Sequence, residues 1–183
     1  MATPTPDDYR LHFAQLAVQY FVAGRAAALD RLIPVLGNLL HHAVEMALKA
    51  SLAPSYSMSQ MKALGHSLPR LWDAFAAAYP SAVTLTHAAT INALHKFEEL
   101  RYPDSMAQKG ANMQLVLLRA HATTPTTGTL NVPSYILVLE DVDELIEGVF
   151  SAMNLSPKFF TGSLSPSAKD HLFSSNLHAA NWQ

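Results

Sequence analysis

The chain has 183 residues, half of them hydrophobic and 14% charged, with a net charge of −2 and no cysteine. These values exclude a disordered chain, a global basic field for nucleic acid or anionic lipid, and all disulfide or thiolate chemistry; they suit one domain with a sizeable core. Met1 to Pro4 carry none of the basic and apolar blocks of a signal peptide, and no apolar run reaches the roughly 18 residues of a membrane span, so the expectation is a cytoplasmic protein.

Thr5-Pro6-Asp7-Asp8 reads as a helix start, with Thr as cap, Pro at the first helical position and carboxylates in the first turn. Phe13, Leu16, Tyr20, Ala23 and Ala27 continue one apolar stripe, which predicts a first helix to about Leu29. Asp30 is placed to open a second helix running to about Leu52, with Pro34 tolerated near its first turn and Pro54 beyond its end. Ser57 and Gln60 form a capping-box pattern for a short helix through Leu64, which Gly65 ends. Ser67 caps the next, whose Leu68, Leu71, Trp72, Phe75 and Tyr79 share a face, and Pro80 closes it. Thr84 or Thr86 starts a fourth long helix, with Ile91, Leu94, Phe97 and Leu100 inward and an end near Tyr102, ahead of Pro103.

The period then shortens. Met113 to Ala120 and Tyr135 to Leu139 are strand-length apolar runs, joined by the Thr- and Pro-rich segment His121 to Pro133, and they read as a long-looped β-hairpin. Asp141 with Glu144 opens a further helix whose apolar face is Val142, Leu145, Ile146, Val149 and Met153. Ser165-Pro166 caps a last short helix through about Phe173, and Ser174 to Gln183 read as a loosely held tail. The fold class is therefore mainly α: a helical bundle with a small β-hairpin and C-terminal helices.

The second helix carries a polar stripe of Asn38, His41 or His42, Glu45 and Lys49 at three- and four-residue spacing, with Glu45 placed to pair with Lys49. His41, His42 and Glu45 share spacing with metal-binding helices, and His66 or Asp104 are the third ligands that folding would have to supply. A polar helix face packed at an interface is the favoured reading, because zinc motifs with real specificity have stricter spacing, and the sequence assigns no metal, no cofactor and no catalytic residue. His66, after Gly65, reads first as a residue holding its loop. Arg101 is a rigid fork suited to phosphate or carboxylate, with Glu98, Asp104 and Glu45 as expected ion partners, and Tyr102 beside it is either a stacking platform or a half-buried core residue.

Three fragments together resemble the HEPN superfamily of helical domains: Leu36-Gly37-Asn38-Leu39-Leu40-His41-His42-Ala43-Val44-Glu45 with Lys49, then Gly65-His66-Ser67-Leu68-Pro69-Arg70-Leu71, then Lys96-Phe97-Glu98-Glu99-Leu100-Arg101-Tyr102-Pro103-Asp104. The resemblance spans roughly Tyr9 to Asp104. It implies an up-and-down bundle over residues 5–104, with 105–183 as a hairpin and helical extension of one domain. It also implies a homodimer, a nucleotide, RNA or protein ligand, and a nucleotidyltransferase partner or a toxin–antitoxin-type setting. The RNase members carry an Arg separated by four to six residues from a following His, and no arginine here has one. The resemblance thus implies a non-catalytic binding module, with ligand-binding candidates Asn38, His41, His42, Glu45, Lys49, His66, Arg101, Tyr102 and Asp104. The alternative is a divergent metal-independent endoribonuclease using Arg101 with His66 or His95. The nearly complete apolar circumference of the second helix is a second reason to expect a partner protomer.

Overall fold

The structure, a computed structural model, describes residues 4–82, 85–101, 104, 107–108, 110–122 and 133–183, with the backbone alone at 85, 86 and 101. It is mainly helical with one two-stranded sheet. Helix α1 spans Pro6–Leu29, and its capping box is formed: Thr5 accepts from the Asp8 amide, and Asp8 accepts from the Thr5 amide at 2.7 Å. The chain leaves α1 through a left-handed residue, Arg31 at φ 58°, with the Leu32 amide reaching back to the Ala27 carbonyl and that of Arg31 to Ala28. Asp30 therefore ends α1 instead of opening the next helix, because the reversal consumes residues 30–32 first. Helix α2 spans Ile33–Leu52, with Pro34 in its first turn.

Helix α3 (Met58–Leu64) starts at the Ser57–Gln60 capping box and stops at Gly65, whose φ of 68° is open to glycine at little cost. Helix α4 (Leu68–Ala78) buries Leu68, Leu71, Trp72 and Phe75. Helix α5 spans Leu85–Phe97 and tightens into a 3-10 turn at Glu98–Arg101. The helix thus gives up its α geometry several residues before Pro103.

Strands β1 (Asn112–Val116) and β2 (Ser134–Val138) pair in parallel, with Asn112 opposite Ser134 and Val116 opposite Val138. This corrects the hairpin expectation. A short apolar run points to a strand but not to its direction, and residues 117–133 are long enough for the crossover a parallel pair requires. The strand is also shorter than the apolar run suggested, since Arg119–His121 form a 3-10 turn. Lys96 donates to the Ser134 carbonyl at 2.8 Å and Tyr135 donates to Glu99 at 3.1 Å, fixing β2 on the end of α5. β2 runs without a loop into α6 (Leu139–Ala152), one residue pair ahead of the expected Asp141 start. Helices α7 (Lys158–Thr161) and α8 (Pro166–Phe173) follow.

α2 is the hub, packed by α1, α4, α5, α6 and β1. Two glycines allow the closest approaches. A methyl group at Gly24 would lie 2.8 Å from Leu40 Cγ, and one at Gly37 would lie 2.8 Å from Phe97 Cγ. Because α1, α4, α5 and α6 close around α2 within one chain, its apolar circumference no longer calls for a second protomer. The tail is also not loose. Ala179–Trp182 form a 3-10 turn, and Trp182 is buried against Phe21 and Phe150. The core cluster joins residues from α1 to Trp182, so the segment after residue 104 shares one core with the helices before it. No described helix is long and apolar enough to cross a membrane.

Candidate functional site

The polar stripe of α2 forms a hydrogen-bonded cluster on the seam with α4 and α5. Its centre is Glu45, whose carboxylate is fully buried. Lys49, one turn on, donates to Oε1 at 2.6 Å; His66, just ahead of α4, donates through Nδ1 to the same oxygen at 2.9 Å; His42 donates through Nδ1 to Oε2 at 3.2 Å. Burial alone would raise the Glu45 carboxyl, but hydrogen bonds from His42 and Lys49, with the charges of Lys49 and His66 behind them, hold it at about 2. The i,i+4 pair with Lys49 was legible in the spacing. The contact to His66 was not, because it depends on how α3 and Gly65 return the chain to α2.

His41 lies on the other side of the stripe and faces α5. It is buried, with Nε2 3.1 Å from the His66 carbonyl and Nδ1 3.4 Å from the Leu94 carbonyl. Burial holds its pKa below the usual imidazole range, against the opposing pull of the Glu98 charge. Glu98 Oε2 is 4.0 Å from His41 Nε2 and 3.8 Å from His95 Nδ1. His41, His95 and Glu98 form a group whose ligand atoms all lie within 4.8 Å of one another.

The structure therefore divides the expected site residues. His41, His42, Glu45, Lys49 and His66 come together. Asn38 is half-buried on the same helix, outside the hydrogen bonds around Glu45, and Asp104 is exposed. The side chain of Arg101 and the whole of Tyr102 lie outside the described residues, as does the expected carboxylate contact of Arg101. His42 and Glu45 do not join His41 as a ligand set, because the Glu45 carboxylate is already occupied by three donors. The residues that do join His41 are His95 and Glu98. Their three-residue spacing at the end of α5 was visible in the sequence, but it gained meaning only when the 3-10 turn set Glu98 against α2.

Four of the chain's nine histidines thus line one seam, with His41 5.7 Å from His42 and 6.1 Å from His95 between ring centroids. The rings of His66 and His95 are accessible, while the Glu45 carboxylate beneath His66 is not. No family model, curated protein or solved structure matches this chain.

Proposed function

We propose that the chain is a non-catalytic, HEPN-like binding module that takes a phosphate-bearing ligand, a nucleotide or short RNA, where His66, His95 and the turn ending at Arg101 meet α2. The observation that supports it is the convergence of four imidazoles and Lys49 on one seam, with two of the rings open to solvent. Imidazole N–H groups donate to phosphate oxygens, ring faces stack on bases, and a guanidinium at the adjoining turn grips phosphate as a fork. Glu45, saturated with donors, anchors this basic rim and is poorly suited to removing a proton from a substrate. The HEPN resemblance adds a homodimer and a nucleotidyltransferase partner to the same reading.

Fluorescence anisotropy with a labelled single-stranded RNA and with a labelled adenine nucleotide tests it. Binding that weakens in both Arg101→Ala and His66→Ala, with the RNA recovered intact, is the expected result. RNA cleavage abolished by Arg101→Ala would instead establish the endoribonuclease reading. Absence of binding to either probe would end both.

A further inference from the structure

We propose that His41, His95 and Glu98 form a binding site for one transition-metal dication of the zinc class, with two imidazole nitrogens and one carboxylate oxygen as protein ligands and a fourth position for water. This inference shares His95 with the phosphate-binding reading but does not rest on it. It rests on which atoms the fold brings together.

The donor set fits that class of ion. Two nitrogens and one oxygen suit zinc and its neighbours, whereas magnesium and calcium favour oxygen shells. Three protein ligands with one open position is also the arrangement of zinc sites that bind water or substrate. The ligand atoms lie within 4.8 Å of one another, with 3.8 Å and 4.0 Å separating Glu98 from the two histidines. A tetrahedral zinc with ligands at about 2.0–2.1 Å sets them roughly 3.4 Å apart. The wider gap is between the two imidazoles, and the partly exposed His95 ring can close it by rotating, while Glu98, whose side chain is one-third exposed, adjusts by rotating its carboxylate.

His41 supplies the second argument. Both of its ring nitrogens face carbonyl oxygens, those of His66 and Leu94. A neutral imidazole carries only one N–H, so in a ring buried this deeply one nitrogen lone pair opposes an oxygen lone pair. A dication on Nε2 removes the conflict, because the His66 carbonyl oxygen, 3.1 Å from that nitrogen, then faces the ion as a weak additional ligand. The proton then resides on Nδ1 and is donated to the Leu94 carbonyl, the outer-shell bond that orients most metal-binding histidines. The third argument is His95, whose Nδ1 is shielded from solvent and has no hydrogen-bond partner among the described residues. It lies 3.8 Å from Glu98 Oε2, the same carboxylate oxygen that His41 Nε2 approaches at 4.0 Å. The neighbouring carboxylate, Glu45, cannot substitute for Glu98, because a metal there would have to displace Lys49, His42 or His66.

A proton is the competing solution to the His41 conflict: an imidazolium would donate to both carbonyls with Glu98 and Glu45 as counter-charges. The experiment therefore reads metal directly. The full chain, dialysed against EDTA and then against metal-free buffer, is titrated with zinc chloride in competition with a chromophoric chelator. His95→Ala and Glu98→Gln are the variants, since both side chains are partly exposed and the fold does not depend on them as it does on His41. His121→Ala, at an exposed turn, controls for adventitious surface histidines. The expected result is one zinc per wild-type chain, an affinity about tenfold or more weaker in each ligand variant, and no change in His121→Ala. Circular dichroism confirms that each variant is folded. Failure of the wild type to bind zinc, or full affinity in either ligand variant, overturns the proposal. RNA or nucleotide binding in metal-free protein bears only on the preceding reading.

Discussion

Arg25 of α1 and Asp143 of α6 form an ion pair that is entirely enclosed, with neither side chain reaching solvent. The same guanidinium donates from Nε to the His171 carbonyl at 3.0 Å and from a terminal nitrogen to the Ser174 carbonyl. One side chain in the first helix thus gathers α6 and the end of α8. Removing one partner leaves the other charged and buried, a loss of about 3–5 kcal/mol. Asp143→Ala is expected to show that loss in urea unfolding. Arg25→Met combined with Asp143→Leu should recover only part of it, because two backbone carbonyls then lose their donor. Additive losses in the double variant would show that the pair is not the source.

Glu45 makes stability depend on pH in a defined window. Its carboxyl sits at about 2 in the fold against an ordinary 4.5. As pH falls below 4.5 the unfolded chain takes up this proton first, so stability falls with pH and the full contribution is present only above about 5. A displacement of this size corresponds to about 3 kcal/mol. Urea unfolding between pH 2 and 7 is expected to show the loss in the wild type and a flatter profile in Glu45→Gln, which should also be less stable at neutral pH. Parallel profiles would assign the acid sensitivity to other carboxylates.

These two groups also show what the sequence could and could not reveal. Glu45 and Lys49 are four residues apart on one helix, so local geometry announces their pairing. Arg25 and Asp143 are separated by most of the chain, and Arg25 sits among alanines where nothing local marks it as a core residue. The helices α1, α3, α4 and α8 were legible because Thr5, Ser57, Ser67 and Ser165 precede apolar periodicity. Their caps differ in detail: Thr5, Ser57 and Ser165 accept a backbone amide, while Ser67 occupies the N-cap position without a side-chain bond. The parallel pairing of β1 and β2 was not legible, since strand direction depends on what the connection does. The seam followed the same division: its α2 half was visible as a stripe, and its α5 half, His95 and Glu98, waited on the packing of α5 against α2.

Gly37 is expected to be intolerant of substitution. A Cβ there would sit 2.9 Å from Phe97 Cβ and press on the ring of a buried side chain that has nowhere to go. Overpacking of this kind costs about 1–3 kcal/mol, more than the roughly 1 kcal/mol that alanine gains over glycine in a helix. Gly37→Ala should therefore lower the melting temperature. Gly162→Ala, whose added methyl meets nothing within 4 Å and whose backbone is already helical, should leave it unchanged or raise it. Because Gly37 lies one turn before His41, the same variant should also disturb the α2–α5 seam and, with it, zinc affinity.

The C-terminal turn is expected to be part of the fold and not an appendage. Trp182 packs 5.2 Å from Phe21 and 5.7 Å from Phe150 between ring centroids, bridging α1 and α6. Its indole N–H donates to Glu147 Oε2 at 2.8 Å, and its carbonyl accepts from the Thr161 hydroxyl at 3.2 Å. Trp182→Ala removes a large buried side chain between two rings and should cost about 3–5 kcal/mol. Trp182→Phe keeps most of the apolar contact, and Asn181 still donates to Glu147, so its loss should be clearly smaller. The chain has only two tryptophans, and in the Phe variant Trp72 on α4 reports alone. Subtracting its emission from that of the wild type isolates Trp182, which should be blue-shifted in the folded protein and move red in the same urea transition as the helical signal. A red-shifted Trp182 before unfolding, or an unchanged melting temperature in Trp182→Ala, would return residues 174–183 to the loose tail that their sequence suggested.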